Sequence, residues 1–474
     1  MCDVVFIQPA LSQQERYGIS FKAGGQTPPT GLALLAAVLR ERGWSVGLLD
    51  AAALGLSVQE TVQQALMLNP TVVGLTAVSI SVHHAHEVAQ GIRNAAPHVK
   101  TVLGGSHVTG VPEETLRRFP AFDLAVLGEG EITFPEVLKA WREGREDLSD
   151  VPGVLFRRGD ALVRTADRPP ILDLDSLPFP AWDLLPDLAR HYSPPAHTVR
   201  RYPAALLVPS RGCAGHCIFC DNRVFGRMTR CYSAGVVLRM IRHLQETYGI
   251  REVQFRDDNL MAFRPMLEEL CHRLIDEHVD LTWSCAARVD MADAELLALM
   301  KKAGCHQIWY GIESGSDRIL RMLCKQIDVA TIRKAVEQTH RAGIDACGFF
   351  MIGNPTETEA DIHATMDLLL ELPFSEFHIS HFTPFPGSAI FRTAASYGSF
   401  DDRWEILNGW TTCFVPATLS RERLIHYSNL AFRKFYLRPR ILWATLLKIR
   451  SFRHARAFFF ASLGFFQYVL QKRR

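Results

Sequence analysis

Short apolar runs alternate with helix-like segments over the first 140 residues or so. The runs cover residues 4–8, 46–49, 72–75, 100–103 and 124–127. Between the first two, residues 31–42 carry apolar side chains at helical spacing and stop at Gly43, a residue that suits a helix C-terminus. Regular strand–helix alternation is typical of a parallel α/β sheet. Residues 1–144 are therefore predicted to form a doubly wound, Rossmann-like domain.

A second alternation starts near residue 204. Its apolar runs cover residues 205–210, 251–257, 281–290, 307–313, 345–353 and 375–385. Six strand–helix repeats predict a partial parallel (β/α)6 barrel over residues 201–415, with an active site where the carboxyl ends of the strands meet their loops. Residues 145–200 combine a hairpin pattern with proline-rich stretches and are predicted to be a connector. Residues 416–474 are predicted to be a helical extension.

The composition is that of a globular protein. Apolar residues make up 48% of the 474 residues and charged residues 22%, with a formal net charge of +2, which argues against disorder and against a multispan membrane protein. The amino terminus shows no basic segment leading into an apolar stretch, so we expect no secretory signal and a cytoplasmic protein. Eleven cysteines, clustered only once, indicate reduced thiols and one metal site.

The segment 433–474 is strongly basic, with eleven Lys or Arg and no Asp or Glu. Its longest apolar run, residues 457–470, is shorter than the roughly 20 residues that span a bilayer. Basic residues interspersed with aromatic and aliphatic ones predict helices that rest on anionic lipid, here at the inner membrane surface. The alternative, helices packed on the barrel, stays open. No nucleic-acid-binding motif accompanies the basic residues, so nucleic acid is not an expected partner.

Three cysteines follow the first strand of the second alternation. Residues 209–222 read PSRGCAGHCIFCDN, which places Cys213, Cys217 and Cys220 in a CxxxCxxC pattern. Three thiolates can hold a four-iron cluster and leave one iron open. A structural zinc site would need a fourth ligand, such as His216 or Cys231, and the usual paired CxxC halves are missing. The spacing therefore favours an open iron–sulfur cluster.

This triplet, with Phe219 before its last cysteine, resembles the signature of the radical S-adenosylmethionine (SAM) superfamily. The resemblance implies a 4Fe–4S cluster on Cys213, Cys217 and Cys220, whose open iron chelates SAM. It also implies reductive cleavage of SAM to a 5′-deoxyadenosyl radical, with an electron donor such as flavodoxin or ferredoxin.

Later strand ends resemble the SAM-binding elements of that superfamily: FRDDN at 255–259, CAARVD at 285–290, GIES at 311–314 and GFFMIGNPTET at 348–358. The SAM-binding residues implied are Phe219, Asp257, Arg288, Glu313, Ser314 and Gly353. Arg288 would clamp the carboxylate, and Glu313 and Ser314 would meet the ribose hydroxyls. Alone, Arg288 could be a surface ion-pair partner and Glu313 a helix N-terminal carboxylate. Their order after successive strands argues for one site. The family's Gly-Gly-Glu element is replaced here by Arg-Asp-Asp.

Glycine-rich turns follow the strands of the first domain: PPTG at 28–31, LGGSH at 103–107 and LGEGE at 127–131. Alone they are ordinary strand–helix loops, and the lack of a GxGxxG motif argues against a nicotinamide cofactor. With the barrel behind it, the domain resembles the cobalamin-binding domain of the class B radical SAM enzymes, so that the resemblance spans nearly the whole chain. The cobalamin contacts it implies are Thr30, Thr76, Ser79, Gly104, Gly105, His107, Gly128, Glu129 and Gly130.

The Asp-x-His-x-x-Gly motif of many cobalamin proteins is absent after the first strand. We therefore expect cobalamin without a histidine beneath the cobalt, or no cobalamin. His83, His84 and His86 are expected at a solvated helix start and not on the metal.

The class B resemblance implies methylation of an unactivated carbon, in which a 5′-deoxyadenosyl radical removes hydrogen and methylcobalamin supplies the methyl group. No catalytic acid or base is identified. One alternative is a cobalamin-linked radical oxidation or cyclisation, as in the anaerobic magnesium-protoporphyrin ester cyclases. Another is a non-catalytic cobalamin- or metal-binding regulator. The basic, apolar tail suggests a small lipophilic substrate: a lipid, an isoprenoid or a tetrapyrrole.

Overall fold

A computed structural model describes residues 2–18 and 24–447 of the chain. Its amino-terminal part is built on a seven-stranded sheet with the order β2-β1-β3-β4-β5-β6-β7. The strands are β1 (Val4–Gln8), β2 (Val46–Asp50), β3 (Val72–Thr76), β4 (Lys100–Gly104), β5 (Leu124–Val126), β6 (Val154–Arg158) and β7 (Ala161–Arg164). The first five strands are parallel. The predicted doubly wound core is therefore confirmed.

Helices cover both faces of this sheet, as its two separate apolar clusters show. They are α1 (Gln13–Tyr17), α2 (Thr30–Glu41), α3 (Ala51–Leu54), α4 (Val58–Met67), α5 (Val82–Ala95), α6 (Ser106–Gly110), α7 (Pro112–Arg118) and α8 (Gly130–Arg142). The chain leaves α2 through Gly43 at φ +78°, a left-handed conformation that glycine adopts without strain.

The hairpin that we expected in the connector belongs to this sheet. β6 pairs antiparallel with β5, and β7 pairs with β6. Leu155 packs in the apolar cluster on one face of the sheet, whereas Val154 and Phe156 pack in the cluster on the other. Burying these side chains explains why the hairpin is part of the domain. The sheet thus continues past residue 144, and the rest of the connector consists of short turns and α9 (Leu188–His191).

The second part is a curled parallel sheet of six strands in the order β15-β14-β13-β12-β11-β8, the predicted half-barrel. Its strands are β8 (Ala204–Leu207), β11 (Glu252–Phe255), β12 (Thr282–Ala287), β13 (Cys305–Glu313), β14 (Asp345–Ile352) and β15 (Glu376–His381), and a separate short ladder joins β9 (Ser210–Arg211) to β10 (Arg230–Cys231). The helices are α10 (Ala234–Tyr248), α11 (Arg264–Asp276), α12 (Ala294–Lys302), α13 (Asp317–Met322), α14 (Val329–Arg341) and α15 (Glu359–Glu371).

The C-terminal region consists of β16 (Gly398–Phe400), β17 (Phe414–Pro416), α16 (Arg421–Tyr436) and α17 (Pro439–Leu447). Helix α16 packs on the barrel, where the ring of Phe435 lies 4.8 Å from that of Phe377. The start of the basic segment thus covers the barrel, and its remainder, 448–474, lies outside the described residues. Among residues 2–18 and 24–447, no helix is long and apolar enough to cross a membrane.

Four buried charged side chains join the two domains. Glu129 and Glu131 stand at the start of α8, and Arg211 and Arg230 stand on the β9–β10 ladder. Arg211 lies 2.5 Å from Glu131 and 3.1 Å from Glu129, and Arg230 lies 2.5 Å from Glu129, with every side chain at most 8% exposed. Burial lowers the pKa of Arg211, but Glu131 and Glu129 outweigh it, so the net shift is upward. We call these four residues the interdomain charge network.

Removing one charge from this network should destabilise the protein strongly. Glu129→Gln keeps the side-chain shape but leaves Arg211 and Arg230 short of negative charge in a buried place, at a cost of about 3–5 kcal/mol. The matched control is Glu146→Gln, which breaks the exposed pair with Lys100 and should cost less than about 1 kcal/mol. Urea unfolding followed by tryptophan fluorescence measures both. Equal midpoints for the two variants would contradict this assignment.

Candidate active site

The cysteine loop leaves the barrel between β9 and β10. Gly212 has φ +85°, and a Cβ there would lie 2.2 Å from the carbonyl oxygen of Met228. Only glycine therefore lets the two sides of the loop approach this closely. The Cys213 N–H donates to the carbonyl of Gly226 at 3.3 Å, which holds the loop closed at its base.

The three predicted cluster thiols lie in one polar neighbourhood. A Cβ on Gly215 would lie 3.4 Å from Cys213 Sγ and 3.9 Å from Cys217 Sγ, so the glycine keeps space free beside both sulfurs. Burial, reinforced by Asp258 and the other two cysteines, raises the pKa of Cys220 to about 12. Thiols in such a place bind a metal as thiolates only if the metal's charge compensates them.

The chemistry of this donor set fits a cubane cluster. Lys325 and Arg288 are the cations that lower the pKa of Cys217 against the effect of its burial, and they can balance cluster charge. Within the described residues, no three ligating side chains converge on a single ion position. The cysteines of a 4Fe–4S cluster bond separate iron atoms and need no such convergence.

Arg288 reaches the cysteine loop from the end of β12. Its Nη1 would lie 3.8 Å from a Cβ on Gly215, and its guanidinium pairs with Asp290 at 2.9 Å. It also donates to the carbonyl of Lys325 at 3.1 Å. Asp290 and this carbonyl hold the guanidinium beside the thiols, where a SAM carboxylate is expected.

Glu313 ends β13 next to a lysine that the sequence did not reveal. Lys325 Nζ lies 2.8 Å from Glu313 Oε1, both side chains are buried, and the ammonium stands 5.9 Å from the ring centre of Phe219. A Cβ on Gly311 would lie 2.6 Å from Nζ, so the glycine makes room for the lysine. Glu313 and Phe219 thus both lie near Lys325, beside the cysteine loop. Nothing in the local sequence around Lys325 signals this contact.

Ser314, in contrast, turns away. Its hydroxyl lies 3.2 Å from the hydroxyl of Thr365 on α15 and accepts from the N–H of Ser316, and the side chain is fully buried. Its hydroxyl thus takes part in the turn after β13, with Thr365 and Ser316 as its hydrogen-bond partners.

Asp257 anchors β9, the strand that leads into the cysteine loop. One carboxylate oxygen accepts from the N–H of Ser210 at 2.6 Å and from its hydroxyl at 2.5 Å, and burial raises the pKa of Asp257 to about 7. The neighbouring Asp258 is the carboxylate that acts on Cys220. Asp257 therefore positions β9, and Asp258, which we had not singled out, faces the thiols.

Gly353 lies in a turn held by a second overlooked carboxylate, Glu357. This buried side chain accepts from the N–H of Gly353 at 2.5 Å and from the backbone and side chain of Asn354 at 3.0 and 2.9 Å. Burial raises the pKa of Glu357 to about 7. Gly353 has φ +78°, and a Cβ there would lie 3.1 Å from the Leu424 side chain on α16. The glutamate four residues after the glycine could have been found from the sequence.

A cavity of about 500 Å³ opens where the glycine turns of the first domain face the barrel. Phe6, Leu35 and Val126 line it from the first domain, and Leu206 and Phe225 line it from the barrel side. The predicted cobalamin contacts that line it are Thr30, Thr76, Gly104, Gly105, Gly128, Glu129 and Gly130. The glycines among them let the backbone approach a bound cofactor closely.

Two predicted cobalamin contacts lie elsewhere. The His107 ring lies 3.1 Å from the Ser79 hydroxyl and 4.3 Å from the Trp404 ring centre, and neither His107 nor Ser79 lines the cavity. Gly105, at φ +97°, precedes α6, on which His107 is buried. Burial lowers the pKa of His107 to about 3. The cobalamin contacts predicted at His107 and Ser79 thus lie outside the cavity lining.

The histidines at 83–86 lie at the start of α5, as expected. His83 lies 2.6 Å from Glu405, and His84 lies 2.8 Å from Glu15. No histidine is among the residues that line the cavity in the described part of the chain.

Two family models match the chain. One describes a B12 binding domain and covers residues 18–138, and the other describes the radical SAM superfamily and covers residues 207–369. The matches fall on the doubly wound domain and on the half-barrel, respectively.

Similar proteins include a Pyrococcus horikoshii protein named as an uncharacterized methyltransferase. It is 31% identical over 433 residues, which cover 90% of this chain and 92% of that protein. The anaerobic magnesium-protoporphyrin IX monomethyl ester cyclase of Rubrivivax gelatinosus is 27% identical, over 88% of this chain and 75% of the cyclase.

Among solved structures, the radical SAM methyltransferase TsrM from Kitasatospora setae, with cobalamin and a [4Fe–4S] cluster bound, has a TM-score of 0.71 at 16% identity. The match covers 93% of this chain and 90% of TsrM, so the two share their fold throughout. Together with the two family models and the 31% identical relative, it shows that the chain belongs to the cobalamin-dependent radical SAM methyltransferase-like enzymes, whose cofactors are a 4Fe–4S cluster, SAM and cobalamin.

Proposed function

We propose that the protein methylates an unactivated carbon of a small, lipophilic substrate. The observation that carries this proposal is the cavity in which the glycine turns of the first domain and the strand ends of the barrel face each other. Such an arrangement suits a methyl donor held on one side and a radical source on the other. A lipid, an isoprenoid or a tetrapyrrole would match the apolar walls.

The cofactors carry the chemistry: when bound, the cluster and SAM supply a 5′-deoxyadenosyl radical, and methylcobalamin supplies the methyl group. The protein itself positions the cofactors and the substrate and shields them from water. Arg288 and the Lys325–Glu313 pair lie beside the thiols, where they would orient SAM. Glu357 fixes the turn at Gly353 by accepting its N–H. The apolar cavity walls exclude water, which protects a radical from side reactions.

Two further partners belong to this proposal. Flavodoxin or ferredoxin would deliver the electron, as the family resemblance implies. Contact with a membrane surface would involve the segment 433–474. Phe435 and Ile441 are buried within the protein, but Leu437, Leu442 and Trp443 are exposed apolar residues of the same segment.

Replacing any cysteine of the triplet should abolish cluster binding. Cys213→Ala, Cys217→Ala and Cys220→Ala should each lower the iron of anaerobically reconstituted protein from about four atoms per chain to less than about one. Cys2→Ser is the control, because this thiol precedes β1 in the other domain and should leave iron content unchanged. Iron and sulfide assays provide the measurement. Full iron content in all three variants, or one zinc per chain, would contradict the cluster.

The fate of a labelled methyl group tests the reaction. With SAM carrying a deuterated methyl group, we expect the product to gain label, because each methyl group passes from SAM through cobalamin to carbon. Mass spectrometry of product and of released 5′-deoxyadenosine measures both halves of the reaction. An oxidised or cyclised product without label would contradict methyl transfer and would favour an oxidation or cyclisation, as the name of the cyclase relative suggests.

A further inference from the structure

Part of the barrel's inner wall is aromatic. The rings of Trp309 on β13 and Phe349 on β14 lie 4.8 Å apart, and that of His378 on β15 lies 6.0 Å from Phe349. Trp410 continues the row, 4.4 Å from His378. The alternate residues on these strands pack in the core with the outer helices: Ile308, Tyr310, Phe350, Phe377 and Ile379. Because successive strand residues point to opposite faces, the strand rings face the interior.

A cation, Arg256, lies on the same inner wall at the end of β11, which β12 separates from β13, and it also lines the cavity of about 500 Å³. Phe255 pairs with Cys285, and Ala286 pairs with Trp309. Arg256, the residue after Phe255, therefore lies level with Ala286 and Trp309 around the inner wall. Ala286, the residue between them, is only partly buried.

The charge of Arg256 has no protein counter-ion. Its guanidinium donates to Gln254 Oε1 at 2.7 Å, and the Gln254 amide in turn donates to Thr198. In the described part of the chain, no carboxylate forms an ion pair with Arg256. Burial lowers the pKa of Arg256 and Tyr17 acts in the opposite direction, yet guanidinium groups remain charged at neutral pH.

The remaining titratable ring in the row adds no positive charge. Burial, assisted by His197, lowers the pKa of His378 to about 4, so this imidazole is neutral near pH 7. Phe349, His378 and Trp410 are partly buried and offer apolar ring faces, whereas Trp309 is 5% exposed. Arg256 offers a cation that forms no ion pair with any described residue. A partly buried cation of this kind is costly unless a ligand brings the opposite charge.

We propose that Arg256, Trp309, Phe349, His378 and Trp410 form the substrate-binding wall, and that the substrate has a planar conjugated or aromatic body carrying an anionic oxygen group such as a carboxylate. The anion pairs with Arg256, and the flat body lies along the rings. This inference rests on the proposed function. Trp309 and Glu313 lie on the same strand, β13, and Glu313 is at its carboxyl end. The wall therefore lies directly below the strand ends at which SAM is expected.

Three probes separate the two halves of this recognition. They are 2-naphthoate, the neutral 2-naphthylmethanol and the aliphatic decanoate, each titrated calorimetrically into holoenzyme that holds cluster, cobalamin and SAM. We expect 2-naphthoate to bind about tenfold tighter than either of the others, because it alone satisfies both the cation and the rings. Equal affinities for all three would overturn the proposal.

Variants then assign each half to its residues. Arg256→Gln should weaken 2-naphthoate about tenfold and leave 2-naphthylmethanol unchanged. Phe349→Leu should weaken both naphthyl probes about threefold and leave decanoate unchanged. Arg341→Gln is the matched control, since this exposed arginine pairs with Glu337 on the outer helix α14 and should alter nothing. If Arg256→Gln fails to fold, Arg256→Lys is the second variant. It keeps the positive charge but loses the paired N–H donors of the guanidinium, so its affinity for 2-naphthoate should be intermediate.

Cofactor content distinguishes substrate binding from a cofactor role. If Arg256→Gln loses cobalamin or SAM on reconstitution, Arg256 serves a cofactor and the proposal is overturned. Probe binding needs no turnover, so the outcome is independent of the labelled-methyl experiment. Labelled product combined with indifferent probe binding would remove this inference and leave the proposed function standing.

Discussion

The site depends on the buried charges that join the two domains. Glu129 belongs to the glycine turn that borders the cavity, and Arg211 lies two residues before the first cluster cysteine. Glu131 and Arg230 complete the network. If the two domains moved apart, these charged side chains would be left without their partners in a buried place, at a high cost in free energy. The network therefore holds the cysteine loop against the cavity. The network thereby ties the cysteine loop to the glycine turn of the first domain.

Around the cysteine loop, buried carboxylates act mainly as anchors for backbone. Asp257 receives the N–H of Ser210, and Glu357 receives that of Gly353, and burial raises the pKa of each carboxylate to about 7. Cations, in contrast, gather beside the thiols. This division suits an enzyme whose cofactors perform the chemistry, because the protein must hold loops rigidly and balance the charge of a thiolate-bound cluster.

The two sides of the barrel mouth serve different tasks. The cluster side is polar, with Arg288, Lys325 and Glu313 held by ion pairs and short hydrogen bonds. The wall below it, from Trp309 to His378, is aromatic, and Arg256 lies level with Trp309. A radical formed at the polar side would lie next to a substrate held on this wall, as we propose.

The alternating strands and helices, the cysteine triplet and the glycine turns can all be recognised in the amino-acid sequence, because each depends on local spacing. Three features become visible only in the folded chain: the hairpin of β6 and β7 extends the first sheet, His107 lies outside the cavity lining, and Lys325 pairs with Glu313. It also set Arg256 level with the aromatic row. These contacts join residues far apart in the chain, and they follow from strand register and burial, which no local pattern encodes.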